Sequence, residues 1–484
     1  MEAAPALTHN GFMDNDIKYA AFPGRLLILG FGSIGQAMVP LLFRHLDLQP
    51  SQVRILSRDP DDSGIAGEYG IAFDALPLTE GNYESILGQH LKEGDFLLNL
   101  SVDVSSLDLV RYCWRHGVLY LDTCTEPWAG FYQDEHLTLS QRSNYALREA
   151  MLAFRLDKRH GATAVMTQGA NPGLASVFVK QALMNMARDL HLDVERPDCY
   201  EEWARLTRQL DIKVIHIAER DTQFSGRRKQ RDEFVNTWSV DGFVSEGLQP
   251  AELGWGSHEQ HWPIDAERHG YGSDAAIYLK RPGIGTRVRS WTPGEGPYHG
   301  FLVTHAESIS IADHLTLREN NEVIYRPTVH YAYHPCDDAV LSLHEVAGKN
   351  WKLQSQRRIM REEIDSGMDE LGVLLMGNAK GAYWYGSRLS IAKARELAPH
   401  NSATSLQVVA GVLAGMVWAI RNPDCGVVEP DDIDDQLVMQ IAAPYLGELA
   451  GIYGDWTPLK GRSPLFEEPH DPADPWQFPN FRVG

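Results

Sequence analysis

Leu26-Leu27-Ile28-Leu29-Gly30-Phe31-Gly32-Ser33-Ile34-Gly35-Gln36-Ala37 is the stretch that decides the fold. An apolar run the length of a short buried strand leads directly into Gly-x-Gly-x-x-Gly, and a helical pattern follows. That glycine spacing alone is a weak signal. Where it ends a strand and opens a helix, it is the dinucleotide-binding fingerprint of a βαβ unit. Gly30 permits the tight turn, Gly32 lets the backbone approach a pyrophosphate, and Gly35 lets the helix pack on the strand. The amides of Ser33 and Ile34 then face the phosphates at the helix N-terminus. The competing reading is a glycine-rich turn that binds nothing.

Working outward, residues 52–56, 96–100 and 118–122 read as strands, and 36–46 and 104–116 as helices, the second closed by Gly117. Such alternation implies a parallel sheet, with ligands at the carboxyl ends of its strands. Two polar clusters fall at those ends, Asn99-Leu100-Ser101-Val102-Asp103 and Asp122-Thr123-Cys124-Thr125-Glu126-Pro127-Trp128. Both are expected to line the cofactor crevice or its substrate side. A further strand at 164–167 leads into Gln168-Gly169-Ala170-Asn171-Pro172-Gly173 and a helix over 174–187. From about residue 210 to 335 the strands at 213–217, 276–279, 301–304 and 328–333 are separated by Gly- and Pro-rich loops. Residues 368–376 pass into a Gly-rich stretch at 377–386, and 405–420 reads as an apolar packing helix.

The fold class is therefore α/β, a Rossmann-type dinucleotide-binding domain plus a second α/β domain with a mixed sheet. The expected division is a loose N-terminal tail at 1–23 and a dinucleotide-binding domain at 24–155 plus 402–484, the latter a C-terminal helical return. The substrate domain falls at 156–401. The Pro- and Phe-rich end from Pro464 is expected to wrap over the surface.

The 484 residues supply two or three cores. A formal net charge of −21 argues against nucleic acid as a partner and is compatible with cationic substrates, although simple acidity of a soluble protein accounts for it too. The five cysteines are odd in number and scattered, with no CxxC pair, which fits reduced thiols in a cytoplasmic enzyme. Residues 1–24 carry one basic residue, Lys18, and no secretory pattern, and no stretch reads as long and apolar enough to span a bilayer. No metal signature and no GxSxG elbow is present, so the expected chemistry is hydride transfer on a bound dinucleotide.

Trp238, Asp241 and Glu246 fall within nine residues and can form an aromatic, anionic site for an ammonium ion. Trp238 can equally be a core anchor, which composition alone favours. Glu219 follows a strand ending at Ala218 and has the alternative of a solvated rim charge. His305, at the end of the strand expected over 301–304, is either a proton shuttle or a structural imidazole.

Together, Gly30 to Gly35, Asn99 to Asp103, Asp122 to Trp128, Gln168 to Gly173, Asn236-Thr237-Trp238-Ser239-Val240-Asp241 and the segment 368–376 resemble bacterial homospermidine synthase. That family is a branch of the saccharopine dehydrogenase-like superfamily, and the resemblance covers nearly the whole chain beyond about residue 24. It implies aminobutyl transfer joining two putrescines into sym-homospermidine with release of ammonia. Spermidine and 1,3-diaminopropane are further partner amines. NAD acts as transient hydride acceptor and donor, so there is no net redox change. The resemblance also implies a homodimer, with 156–401 the dimerisation as well as the substrate domain.

Carried over motif by motif, Trp238 holds the cationic intermediate and Glu219 and Glu246 anchor amino groups. Asn171 and Glu126 position substrate near the nicotinamide, and Asp369 and His305 complete the pocket. The cofactor set is Gly30, Gly32, Ser33, Ile34, Gly35, Asp59, Asn99, Ser101, Asp103, Thr123, Cys124 and Thr125. After the second strand the chain reads Leu56-Ser57-Arg58-Asp59. Asp59 stands near the spacing of a ribose-binding acid, whereas Ser57-Arg58 suits a 2′-phosphate. NAD is favoured because the hydride returns within one cycle. The runner-up is a saccharopine- or carboxyspermidine-type dehydrogenase with net turnover of NAD(P), which needs Arg or Lys for a substrate carboxylate. A non-catalytic NAD-binding regulator is the third reading.

Overall fold

The computed structural model describes residues 17–60, 63–157, 160–462 and 470–484. Two sheets organise the chain. The first has seven strands in the order Val427–Val428, Ala164–Val165, Leu119–Asp122, Phe96–Asn99, Leu26–Leu29, Val53–Ser57, Ala72–Ala75. All six pairings are parallel. The central strands are buried at every residue, as a sheet covered by helices on both faces requires. Strand order reverses between Leu26–Leu29 and Phe96–Asn99, and ligands bind at such a switch point.

The second sheet is mixed and has ten strands. At its centre Val214–Asp221 pairs in parallel with Thr328–His334 and antiparallel with Met368–Met376. The Gly-rich stretch after Met376 is a tight connection into Ala382–Ser390, so 368–390 is a hairpin.

Between the sheets lies the helix Ala403–Arg421, opened by a Ser402–Ser405 capping box. It packs on the helix Ser33–His45, on Leu119–Asp122 and on Ala382–Ser390, so its whole circumference is core. By length and composition this helix could cross a membrane, contrary to the expectation that no stretch is apolar enough. Its apolar window is 89% buried inside the fold, which accounts for its composition without a bilayer.

Three further expectations need correction. The segment 402–484 does not return whole to the dinucleotide-binding sheet. Ala403–Arg421 and Val427–Val428 do, but Glu448–Gly454 adds to the second sheet through Ala382–Ser390. Residues 17–23 are docked, not loose: Ala20–Ala21 pairs with Leu46–Asp47, and Lys18 Nζ donates to Phe43 O at 2.6 Å. Residues 1–16 of the expected tail lie outside the described residues, as do 464–469 of the C-terminal wrap. Finally, the strand expected over 301–304 ends at Phe301. Its register partners run out there, and His305 instead precedes the helix Ala306–His314.

Candidate functional site

The glycines perform separable physical tasks. Gly30 has φ +79°, and a Cβ there would lie 2.7 Å from Leu100 O. A Cβ on Gly35 would lie 2.9 Å from Gly30 O, which is the close helix–strand contact. A Cβ on Gly32 would meet nothing within 4 Å, so the loop leaves space there. Ser33 Oγ is buried with no hydrogen-bond partner among the described residues, and the first turn of Ser33–His45 carries no acid. Open space, an unused hydroxyl and an uncancelled helix dipole fit a pyrophosphate.

Beyond the loop, Asn99 Oδ1 accepts from Ser101 N at 3.2 Å and Ser101 Oγ at 2.5 Å, and Asn99 Nδ2 donates to Tyr120 at 3.2 Å. Asn99 therefore shapes the loop from beneath. Ile34, Ser101, Thr123 and Cys124 line an inner cavity of about 110 Å³. Thr125 joins Cys124 and Glu126 in a small adjoining chamber. Asp59 stands on an exposed turn, its N–H directed at Ser57 Oγ, and lines neither space; its neighbour Arg58 faces a larger outer cavity with Asp103.

The inner cavity brings Asn171, Glu219, Trp238, Glu246 and His305 together. Strand alternation explains much of this. Glu219 and Asp221 share one face of Val214–Asp221; Tyr333 is in register with Glu219, and Asp369 with Asp221. Glu219 Oε2 accepts from Asn171 Nδ2 at 2.5 Å and from the Tyr331 hydroxyl. It is a buried carboxylate rather than a rim charge. Burial raises its pKa, against the hydrogen bonds of Tyr331 and Asn171. Asp369 and Asp221 are raised for the same first reason. Thr404 Oγ1 donates to Asp369 Oδ2 at 2.5 Å, while Asp369 Oδ1 has no partner among the described residues. Asp369 thus stands behind Glu219, next to the cavity wall formed by Thr404, not on that wall.

Trp238 stands where the core and the cavity meet. It is half-buried against Phe243, with ring centroids 5.5 Å apart, and Nε1 donates to the Tyr333 hydroxyl at 3.0 Å, yet it also lines the cavity. Ser239 caps the helix Val240–Leu248, with Gly242 N donating to its Oγ at 3.0 Å. This helix directs Glu246 toward His305.

His305 lies with Nε2 3.2 Å from Glu246 Oε2, Nδ1 3.2 Å from Glu307 Oε1, and its ring 4.4 Å from that of Tyr331. Burial opposes its charging, but Glu307 and Glu246 outweigh that and raise its pKa well above the ordinary value. The two carboxylates thus favour the protonated ring. In the small chamber burial, then Glu246 and Asp103, push the Glu126 carboxyl up to about 8. No Arg or Lys lines the inner cavity among the described residues. Carboxylates under such desolvation favour a cationic ligand, which restores their charged state.

Tyr331, Asp221, Thr404 and Glu307 were not singled out from sequence. The period-two pattern of 328–333 places Tyr331 and Tyr333 on one face and would have found them. Thr404 and Glu307 are brought in by long-range packing that local patterns do not carry.

Comparison with known proteins agrees with this architecture. The family model described as saccharopine dehydrogenase NADP binding domain matches residues 26–165, and that described as saccharopine dehydrogenase C-terminal domain matches 169–455. Fold and site together thus define a saccharopine dehydrogenase-like protein. Homospermidine synthase of Blastochloris viridis is 53% identical over 96% of this chain and 98% of its own. That of Mesorhizobium japonicum is 52% identical over 96% and 97%. The crystal structure of homospermidine synthase from Legionella pneumophila in complex with NAD has a TM-score of 0.90 at 51% identity, covering 96% of this chain and 98% of that one. The chain belongs to the homospermidine synthase family.

Proposed function

We propose that this chain holds NAD in the crevice at the strand-order switch and makes homospermidine from two putrescines with release of ammonia. The family and its NAD-bound member support the reading. The observation that carries it is the inner cavity, which offers carboxylates and an indole face and no Arg or Lys. Such a site suits a diamine, a dication with amine pKa values of ~10. It leaves a substrate carboxylate without the partner that a saccharopine-type dehydrogenase needs.

When bound, NAD would take a hydride from the carbon bearing one amino group and return it to the Schiff base formed with the second diamine after ammonia leaves. The protein's part is charge and position. Glu219, its pKa raised and its orientation fixed by Asn171 and Tyr331, accepts the ammonium proton that must leave first. The Trp238 face supports the cationic carbon–nitrogen centre. Glu126 and Glu246 hold the distal and incoming ammonium groups. His305 fixes Glu246 through Nε2, with Nδ1 held by Glu307, and is the candidate proton shuttle of the pocket. Asp369 stands behind as a further buried acid. Spermidine and 1,3-diaminopropane as partner amines, a homodimer and a cytoplasmic setting belong to the same proposal. The five cysteines are free in the described fold.

The test is incubation with putrescine and a small amount of NAD. Homospermidine in excess of NAD, without accumulating NADH, is expected; stoichiometric NADH would replace this reading with the dehydrogenase.

A further inference from the structure

Two large cavities meet at one short turn, Phe131–Gln133, which follows Gly130. Gly130 and Tyr132 line the outer cavity of about 570 Å³. Gly130 and Phe131 line a groove of about 800 Å³. Both spaces border the small chamber that holds Glu126, Glu246 and His305. The outer cavity does so through Tyr132 and Gln249, the groove through Thr125 and Glu126. An amine bound for the chamber thus has two mouths available, and charge distinguishes them.

The outer cavity is basic. Arg58, Arg142, Lys280, Arg281 and Arg357 line it against Asp103 and Asp241. Arg142 also braces the turn, its Nη1 donating to Tyr132 O at 3.1 Å. Arg58 directly follows the strand Val53–Ser57, where a dinucleotide fold meets the adenosine ribose. This lining suits an anionic dinucleotide and repels a dication. The groove has the opposite character. Glu80, Glu126 and Asp134 line it, Trp128 and Phe131 give it aromatic surface, and no Arg or Lys does so among the described residues. Trp128 is fixed by Nε1 donating to Asp108 Oδ2 at 2.8 Å and by the Tyr83 ring, with centroids 5.5 Å apart. An acidic cleft raises the local concentration of a cation and speeds its capture by about tenfold or more. An aromatic face receives an ammonium group. Glu126 is 4% exposed and belongs to both spaces, so groove and chamber meet at it.

We infer that the groove is the mouth through which amines reach the chamber, separate from the cavity that receives the dinucleotide. The inference rests on the proposed reaction. It gives the second amine a way in that the cofactor does not share.

The experiment follows homospermidine formation by the holoenzyme with NAD saturating, at low and high salt. Glu80 is exposed, and Asp134 Oδ1 accepts from His136 N at 2.9 Å, a bond that Asn keeps. Glu80→Gln combined with Asp134→Asn is expected to lower kcat/KM for putrescine about tenfold at ~10 mM salt and far less at ~1 M, with kcat within about twofold. Ala150→Trp puts bulk at an exposed position of the groove wall and is expected to lower kcat/KM at both salts. Melting temperature and equilibrium NAD binding of both variants are expected to match the parent's. Parental kcat/KM in both variants overturns the inference. So does a deficit of the charge variant that salt does not relieve, or an equal loss of NAD binding. A rise in amine kcat/KM on combining Lys280→Gln with Arg281→Gln overturns it too, because entry then runs through the outer cavity. A parent that forms no homospermidine overturns the proposed function instead.

Discussion

At the scale of single residues, Trp238 carries the most specific prediction. Its ring is half in the core and half in the cavity, so stability and turnover must be separated. A desolvated cation–π contact is worth about 2 kcal/mol, roughly thirtyfold in rate. Trp238→Leu is expected to remain folded and lose at least about that factor in kcat, whereas Trp238→Phe, with a weaker face, falls between. Melting curves recorded beside the kinetics decide it, and full turnover in a folded Trp238→Leu protein contradicts the role.

Glu126 makes a different prediction. Its carboxyl is raised from an ordinary 4.5 to about 8, first by burial. The fold therefore favours the protonated form. That contribution is complete below the unfolded-state value and is lost as pH rises through about 8, on the order of a few kcal/mol. Glu126→Gln keeps the neutral form at every pH, so its melting temperature is expected to gain on the parent's between about pH 5 and about pH 9. Parallel profiles would show that Glu126 is already charged in the free protein. The sequence marked Glu126 by its place at a strand end but held no sign of this upward shift, which comes first from burial and then from Glu246 and Asp103 brought near by folding.

At the scale of elements, the fingerprint loop was legible because its glycines have local causes: one positive φ, one close backbone contact and one open space. These causes predict opposite outcomes for neighbouring substitutions. Gly30→Ala forces a Cβ to within 2.7 Å of Leu100 O at φ +79° and is expected to lower the melting temperature. Gly32→Ala fills space and strains nothing. It is expected to melt with the parent yet bind NAD about tenfold or more weakly in a direct binding titration. Equal melting losses in both would remove the assignment of that space to the pyrophosphate. The helix before Gly117 was legible for the same local reason: Ser105 caps its start, and Gly117 closes it at φ 64°. The strand ending at Phe301 was not. Residues 302–304 are as apolar as a strand and fully buried, but the register with Arg287 and Tyr333 stops at Phe301.

At the scale of the whole molecule, the part that sequence could not place is the division of the C-terminal segment. Glu448–Gly454 joins the second sheet by pairing with Ala382–Ser390, far away in sequence, and no local period announces such a partner. The consequence is functional. The helix Ala403–Arg421 leaves the second sheet, crosses the core, and carries Thr404 to Asp369 at its start, so the dinucleotide half and the acid cluster are braced by one element. A buried inner cavity suits a reaction in which the first product of oxidation must not escape before the second amine arrives. The central claim is that the hydride lost by one diamine returns to the same carbon. The direct measurement uses putrescine deuterated at both amino-bearing carbons, unlabelled NAD in small amount, and mass spectrometry of the homospermidine formed. Every deuteron is predicted to be retained in the product, with no net NADH; a product lacking one deuteron per molecule would contradict the account.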